Sequence, residues 1–105
     1  MKLRPSKRQL LELLPARIVQ VRGDAAGGAR YLSFDDGPHA EHTLQLLDLL
    51  AAHAVQASFF LVGKRVEQYP AIVERIVAAG HLVGNHSWSH EHFGRQSLGE
   101  QLAEL

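Results

Sequence analysis

In the stretch Phe34-Asp35-Asp36-Gly37-Pro38, a short apolar run ends at Phe34. Two carboxylates follow it, and then a Gly-Pro pair of the kind that interrupts regular secondary structure. The apolar run, residues 30–34, predicts a strand, and α/β folds gather functional groups where parallel strands end. Successive strand residues point to opposite faces, so the two acids should differ in role unless the turn at Gly37 reorients one of them. Because adjacent carboxylates repel each other, a cation beside them would relieve the site. Asp, Gly and Pro also favour ordinary turns, so a plain turn stays open as an alternative.

A second polar segment, His86-Ser87-Trp88-Ser89-His90, follows a predicted strand over residues 82–85. Positions four apart on a tightly turned segment share a face and can reach one ion, although an exposed or hydrogen-bonded pair is the alternative. In a parallel sheet the two polar segments lie on one edge. One carboxylate and two imidazoles then make a three-ligand set with an open position, which is typical of catalytic zinc, and the other carboxylate is free to act as a base.

The rest of the chain alternates between segments with a helical apolar pattern and short apolar runs. Residues 40–53 and 70–80 show apolar helical stripes, whereas residues 57–62 form a short apolar run without period that predicts a strand covered on both faces. This order of strands and helices predicts an α/β fold with parallel strands. We expect Phe59 and Phe60 in the core and the Lys64-Arg65 pair in solvent.

Two capping boxes mark helices near the ends of the chain. Ser6 with Gln9 predicts a helix over residues 7–14 whose leucines form a packing face, and Ser97 with Glu100 predicts a helix that begins close to the last residue. Between the first helix and the acidic segment, the alternating residues 16–21 predict another strand.

Composition excludes several classes of function. The 105 residues contain 11 basic and 11 acidic side chains, so the chain lacks the excess of positive charge that is typical of nucleic-acid-binding proteins. Cysteine is absent, which excludes disulfides and thiolate chemistry. No apolar run reaches the length of a membrane span, and the first 15 residues lack the features of a signal peptide. We therefore expect a cytoplasmic location, with the periplasm or cell envelope left open.

Four segments in order carry a family resemblance: S-F-D-D-G-P, T-L-Q-L-L-D-L-L, A-S-F-F-L-V-G and P-x-x-V-x-R-I-V-A-A-G-H-L-V-G-N-H-S-W-S-H. Over residues 30–105 the chain resembles the polysaccharide deacetylase family, also called the NodB-homology domain or carbohydrate esterase family 4. The resemblance implies a truncated, partial distorted (β/α) barrel, with residues 1–29 as a helix and strand leading into it and residues 30–105 as its N-terminal half. It also implies a divalent metal, most often zinc, and removal of acetyl groups from N-acetylated or O-acetylated carbohydrate.

The resemblance assigns roles residue by residue. The metal would polarise the acetyl carbonyl and activate water, and the catalytic base would take the proton from that water. The base corresponds to Asp35, the metal ligands to Asp36, His86 and His90, and the supporting residues to Ser87, with Asn85 and Pro38 beside it.

Several motifs of the family would follow residue 105, among them an arginine that orients the base and a histidine that acts as general acid. We expect His39, His42 and His92 to be solvated rather than to replace that histidine, and Trp88 to serve packing more than sugar contact. An open half-barrel would expose a sheet edge and favour self-association.

Two alternatives to a deacetylase remain. The first is a weakly active or inactive metal-binding fragment or interaction module. The second, a phosphotransferase of the Asp-x-Asp type, is disfavoured because the two acids are adjacent and because it gives His86 and His90 no role.

Overall fold

A computed structural model describes residues 6–13, 15, 26–28 and 30–105. The chain forms two compact units, Met1–Arg30 and Tyr31–Leu105. The strand predicted over residues 16–21 lies outside the described residues. None of the described helices is long and apolar enough to cross a membrane.

The described part of the first unit contains helix α1, Lys7–Glu12. Its capping box is confirmed, because the Ser6 hydroxyl accepts from the Gln9 N–H and the Gln9 side chain accepts from the Ser6 N–H. The predicted packing face is wrong for the described leucines, since Leu10, Leu11 and Leu13 are all exposed. A capping box can be recognised from neighbouring residues in the sequence. The burial of a helix face depends instead on what packs against it.

The second unit is built on a three-stranded parallel sheet in the order β1-β2-β3. The strands are β1 (Ser33–Gly37), β2 (Ser58–Leu61) and β3 (Leu82–Asn85). The helices are α2 (His42–Ala52), α3 (Gly63–Gln68), α4 (Pro70–Ala78) and α5 (Leu98–Ala103), with a short 3-10 helix (Phe93–Arg95) before α5. The predicted alternation of parallel strands and helices is confirmed.

The hydrophobic core lies between the sheet and the helices α2 and α4. Its buried side chains are Leu47, Leu50, Ala57, Phe59, Leu61, Ile72 and Ile76. The prediction that β2 is covered on both faces is wrong: Phe59 and Leu61 are buried, but Phe60 between them is 38% exposed. The strand therefore shows the period-2 pattern of a sheet with one covered face.

Strand β1 starts later than the sequence predicted and carries an irregularity at its end. Asp35 pairs with Phe60 and Gly37 pairs with Leu61, so Asp36 is an extra residue opposite the partner strand. Asp36 has a φ of 73°, in the left-handed region that aspartate tolerates better than most residues. Such a bulge redirects the side chain it carries, and here that side chain belongs to a predicted site residue.

Helix α3 was missed by the sequence analysis, which placed Lys64 and Arg65 in a solvated approach to the next helix. Its six residues bury no side chain, so no apolar stripe announces it. Residues outside α3 hold the start of the helix, because the Gly63 and Lys64 N–H groups donate to the Ser87 and Trp88 carbonyls at 2.9 Å each. Tertiary hydrogen bonds thus define this helix.

Candidate metal centre

The acidic turn, residues 35–38, occupies the carboxyl end of β1. Gly37 and Pro38 are buried, and the peptide bond between them is cis. The Val62 N–H donates to the Gly37 carbonyl at 2.9 Å, which holds the turn against the end of β2. On the other side, the His39 N–H donates to the hydroxyl of the buried Thr43 at 2.8 Å, tying the turn to α2.

The histidine loop, residues 86–90, follows β3 on the same edge of the sheet. Ser87 and His90 both have positive φ values, 65° and 61°. Two hydrogen bonds brace this curvature: the Ser87 N–H donates to Asn85 Oδ1 at 2.8 Å, and the His90 N–H donates to Ser87 Oγ at 3.0 Å. Left-handed backbone at non-glycine residues is held in place by its surroundings and is common at functional sites.

The two segments meet at a single atom. His86 Nε2 lies 2.9 Å and His90 Nε2 lies 3.0 Å from the same oxygen, Asp36 Oδ1. The imidazole rings are inclined to each other with centroids 5.0 Å apart. The bulge at Asp36 and the left-handed turns at Ser87 and His90 are the local features that bring these groups together.

These three side chains fit a divalent metal. They are the one group among the described residues whose histidine and carboxylate donors all lie within 4.8 Å of one another. Three lone-pair donors this close are favourable only with a proton or a cation among them. Donors around a tetrahedral zinc with bonds of about 2.0–2.1 Å lie roughly 3.3 Å apart, so the observed contacts need to open by only a few tenths of an ångström.

Asp35 does not join this group. Its side chain is exposed, and among the described residues it has no hydrogen-bond or ion-pair partner. Because the extra residue in the strand is Asp36, the two neighbouring carboxylates are separated in environment: one faces two imidazoles, and the other stands free in solvent.

The histidine loop also contacts the last helix, which the sequence analysis did not foresee. Glu104 accepts hydrogen bonds from the Ser89 hydroxyl at 2.6 Å and from the Ser89 N–H at 2.7 Å. These bonds, the one from the hydroxyl first, lower the pKa of the Glu104 carboxyl. Nearby, Asn85 Nδ2 donates to the Leu105 carbonyl at 2.8 Å. Nothing in the sequence near Glu104 signals this contact, because its partner lies 15 residues away.

Gly63, the first residue of α3, also contacts the histidine loop. The sequence analysis gave it no role at the site. A Cβ atom at Gly63 would lie 2.4 Å from the Trp88 indole, closer than atoms can approach. Trp88 is 44% exposed, so one part of its ring packs on Gly63 while another part faces solvent. The expectation that Trp88 serves packing agrees with this contact.

Of the three other histidines near the site, only His39 differs from its predicted solvation. His39 is half-buried, and its Nδ1 lies 3.1 Å from Arg65 Nη1. Because a guanidinium only donates, Nδ1 is the acceptor and His39 carries its proton on Nε2. His42 and His92 are exposed, as expected, and His92 Nδ1 caps the 3-10 helix by accepting from the Gly94 N–H.

Comparison with protein-family models gives a match over most of the chain. The family model described as "Polysaccharide deacetylase" matches residues 22–105, which is most of the chain. Among individual relatives, the chain is 48% identical over 74 residues to a peptidoglycan-N-acetylglucosamine deacetylase of Bacillus cereus. It is 47% identical over 78 residues to a chitooligosaccharide deacetylase of Rhizobium leguminosarum bv. trifolii.

These alignments cover unequal shares of the two partners. They include 70% and 71% of this chain, but only 27% and 36% of the two relatives. The solved structure of the peptidoglycan deacetylase PdaC from Bacillus subtilis matches with a TM-score of 0.69 and 44% identity, over 70% of this chain and 37% of that chain. The sheet and helices therefore correspond to part of a NodB-type barrel, and the fold predicted from the resemblance is confirmed at that level.

Proposed function

The chain belongs to the polysaccharide deacetylase family, and from that premise we propose that it serves metal-dependent removal of acetyl groups from N-acetylated carbohydrate. The observation that supports the metal is the meeting of His86 Nε2 and His90 Nε2 at Asp36 Oδ1. An imidazole and carboxylate set of this kind suits zinc, which is the ion we propose.

In this proposal Asp36, His86 and His90 hold the ion. When bound, such an ion polarises the acetyl carbonyl and makes a neighbouring water molecule more acidic. Asp35 receives the proton of that water on its free carboxylate. Ser87 and Asn85 act through the loop backbone, because their hydrogen bonds keep His86 and His90 turned toward Asp36.

The substrate is a second part of the proposal. The two relatives described above are named for peptidoglycan N-acetylglucosamine and for chitooligosaccharide, and both names describe N-acetylated amino sugars. We propose the same class for this chain. Self-association through the sheet edges stays a prediction; within residues 30–105, β1 and β3 each pair with β2 alone.

One observation favours a second candidate, a metal-binding module without turnover. Asp35 has no partner among the described residues that would orient its carboxylate. A base that is not held in place contributes less, because general-base catalysis depends first on geometry.

Zinc titration of the purified chain tests the proposed metal centre. Isothermal titration calorimetry should show one zinc per chain, and Asp36→Ala, His86→Ala and His90→Ala should each weaken binding at least about 100-fold because each removes one of three ligands. His53→Ala, at an exposed histidine at the end of α2, is the matched control and should bind zinc as the parent does. Full zinc affinity in all three ligand variants would disprove the metal centre.

Acetate release separates the two candidate functions. With zinc and N-acetylglucosamine oligomers, a deacetylase should release acetate, and Asp35→Asn should abolish the release while leaving zinc affinity within about twofold, since Asp35 stands outside the ligand group. Stoichiometric zinc with no acetate released by the parent chain would favour the binding module.

A further inference from the structure

A cavity of about 560 Å³ adjoins the metal centre on the side of helix α3. Asp36 and His90 of the metal centre line it together with His39 and with Lys64, Arg65 and Gln68 of α3. The acidic turn and the histidine loop thus share this cavity with a helix that the sequence analysis did not identify.

The two cations of α3, Lys64 and Arg65, differ from the cation of α4 in their ion pairing. Among the described residues no carboxylate lies within ion-pair distance of Lys64 or Arg65, whereas Arg75 on α4 is paired with Asp48 at 3.7 Å. Arg65 is partly buried, and the acceptor that its guanidinium contacts within the described residues is His39 Nδ1. A guanidinium has further N–H donors that could bind an acceptor outside the protein.

The backbone at the start of α3 is tied to the histidine loop. The Gly63 and Lys64 N–H groups donate to the Ser87 and Trp88 carbonyls, so the first turn of α3 moves with the loop. Those N–H groups are therefore occupied, and any attraction for an anion comes from the Lys64 and Arg65 side chains. Asp36 also lines the cavity and repels an anion; its Oδ1 faces the imidazoles of His86 and His90.

We propose that Lys64 and Arg65 form a subsite for an anionic group, a carboxylate or a phosphate, carried by the acetylated sugar. The identification of the carrier as an acetylated sugar rests on the proposed function; the anion preference rests on the cavity and the cations that line it. A guanidinium and an ammonium side by side bind a carboxylate or phosphate through charge-assisted hydrogen bonds. The chain carries no net charge, so this preference is local rather than a general attraction for anions.

Three monosaccharides of similar size test the subsite. N-acetylglucosamine is neutral, N-acetylmuramic acid adds a carboxylate, and N-acetylglucosamine 6-phosphate adds a phosphate. Dissociation constants from ligand-observed NMR, in zinc-free and zinc-loaded protein, should be about tenfold lower for at least one acidic sugar than for the neutral one, as for one charge-assisted contact. The better acidic sugar identifies which anion the subsite takes, and high salt should reduce the preference.

Substitutions on α3 test whether its side chains cause the preference for an acidic sugar. Arg65→Gln and Lys64→Gln should each reduce it by about threefold or more and leave the affinity for the neutral sugar unchanged. Arg75→Gln removes a cation of α4 that lies outside the cavity and should change nothing.

Four results would overturn the subsite: equal affinity for neutral and acidic sugars, no measurable binding of either acidic sugar, an equal loss in Arg75→Gln, or a preference that needs zinc and ignores Arg65→Gln. Zinc titration of the same samples is read separately. Zinc binding without an anion preference refutes only the subsite, and an anion preference without zinc binding refutes only the proposed metal centre.

Discussion

The acidic turn and the histidine loop both follow a parallel strand on the same sheet edge, yet they are held in different ways. The acidic turn combines a bulge at Asp36 and the buried Gly37 and Pro38 with a bond to Thr43 of α2 and one from Val62 at the end of β2. The histidine loop depends on Gly63 and Glu104, which lie far from it along the chain. A metal centre assembled from both therefore has one half held against the end of β2 and the start of α2, and one half held against Gly63 of α3 and the end of α5.

A pair of glycine substitutions gives the largest expected effect on this comparison. Gly63→Ala would push a methyl group into the Trp88 indole, and overpacking of this kind costs about 1–3 kcal/mol. We expect urea unfolding to show this loss and zinc titration to show weaker binding, because the indole is part of the histidine loop.

Gly37→Ala is the matched control in the acidic turn. A Cβ atom there meets Leu61 at 3.6 Å and Thr43 at 3.7 Å, which are ordinary contacts. We expect a change of less than about 1 kcal/mol in the free energy of unfolding, by the usual size of unstrained substitutions. If Gly37→Ala were as damaging as Gly63→Ala, the distinction between the two segments would fail.

Glu104→Gln tests the long-range support with a pH dependence. The Ser89 hydrogen bonds lower the folded-state pKa of Glu104 below its usual value of 4.5. The stability they provide is therefore fully present above pH 4.5 and is lost as the pH falls through the lower folded value. Urea unfolding midpoints at neutral pH and below pH 4.5 should show a larger gap between parent and Glu104→Gln at neutral pH than in acid.

Glu67→Gln, on the exposed side of α3, is the control for this experiment. It should leave both the neutral and the acidic midpoints close to those of the parent. A gap between parent and Glu104→Gln that is the same at both pH values would show that the carboxylate charge does not support the loop.

The smallest expected effect is at Ser87, inside the histidine loop. Ser87→Ala removes the oxygen that accepts from the His90 N–H and keeps the positive φ, so we expect a loss of about 0.5–1.5 kcal/mol. Ser87→Gly removes the same oxygen but relieves the left-handed backbone, and it should be less destabilising. If circular-dichroism melting shows glycine as harmful as alanine, backbone strain at residue 87 is not significant.

Much of the fold could be predicted because its signals are local. Strand β3 has the predicted bounds, Pro70 begins α4, and Gly80 follows it with a φ of 86°, a conformation that suits glycine. Both capping boxes form as predicted. Helix α3 was missed because it has no apolar stripe, and the leucines of α1 were misjudged because burial depends on a packing partner.

The residues of the candidate site also differ in whether local sequence signals could predict them. Residue types and spacing singled out the acidic pair and the two histidines, and the family resemblance assigned Asp36, His86 and His90, which the structure brings together. The half-buried His39 and its contact with Arg65 were not predictable, because the two residues are 26 apart in the chain. The same holds for Glu104 and Ser89.

The sequence by itself determined the parallel α/β order and the two polar segments at the ends of β1 and β3, since periodicity, turn residues and ligand types are local properties. Only the tertiary structure decided which oxygen the two imidazoles face, and that Asp36 rather than Asp35 is the extra residue of the bulge. It also decided that α3 places Lys64 and Arg65 at the neighbouring cavity. The physical reason is that side-chain direction at a bulge and contacts between distant segments depend on strand register and packing, and a linear pattern of residues contains neither.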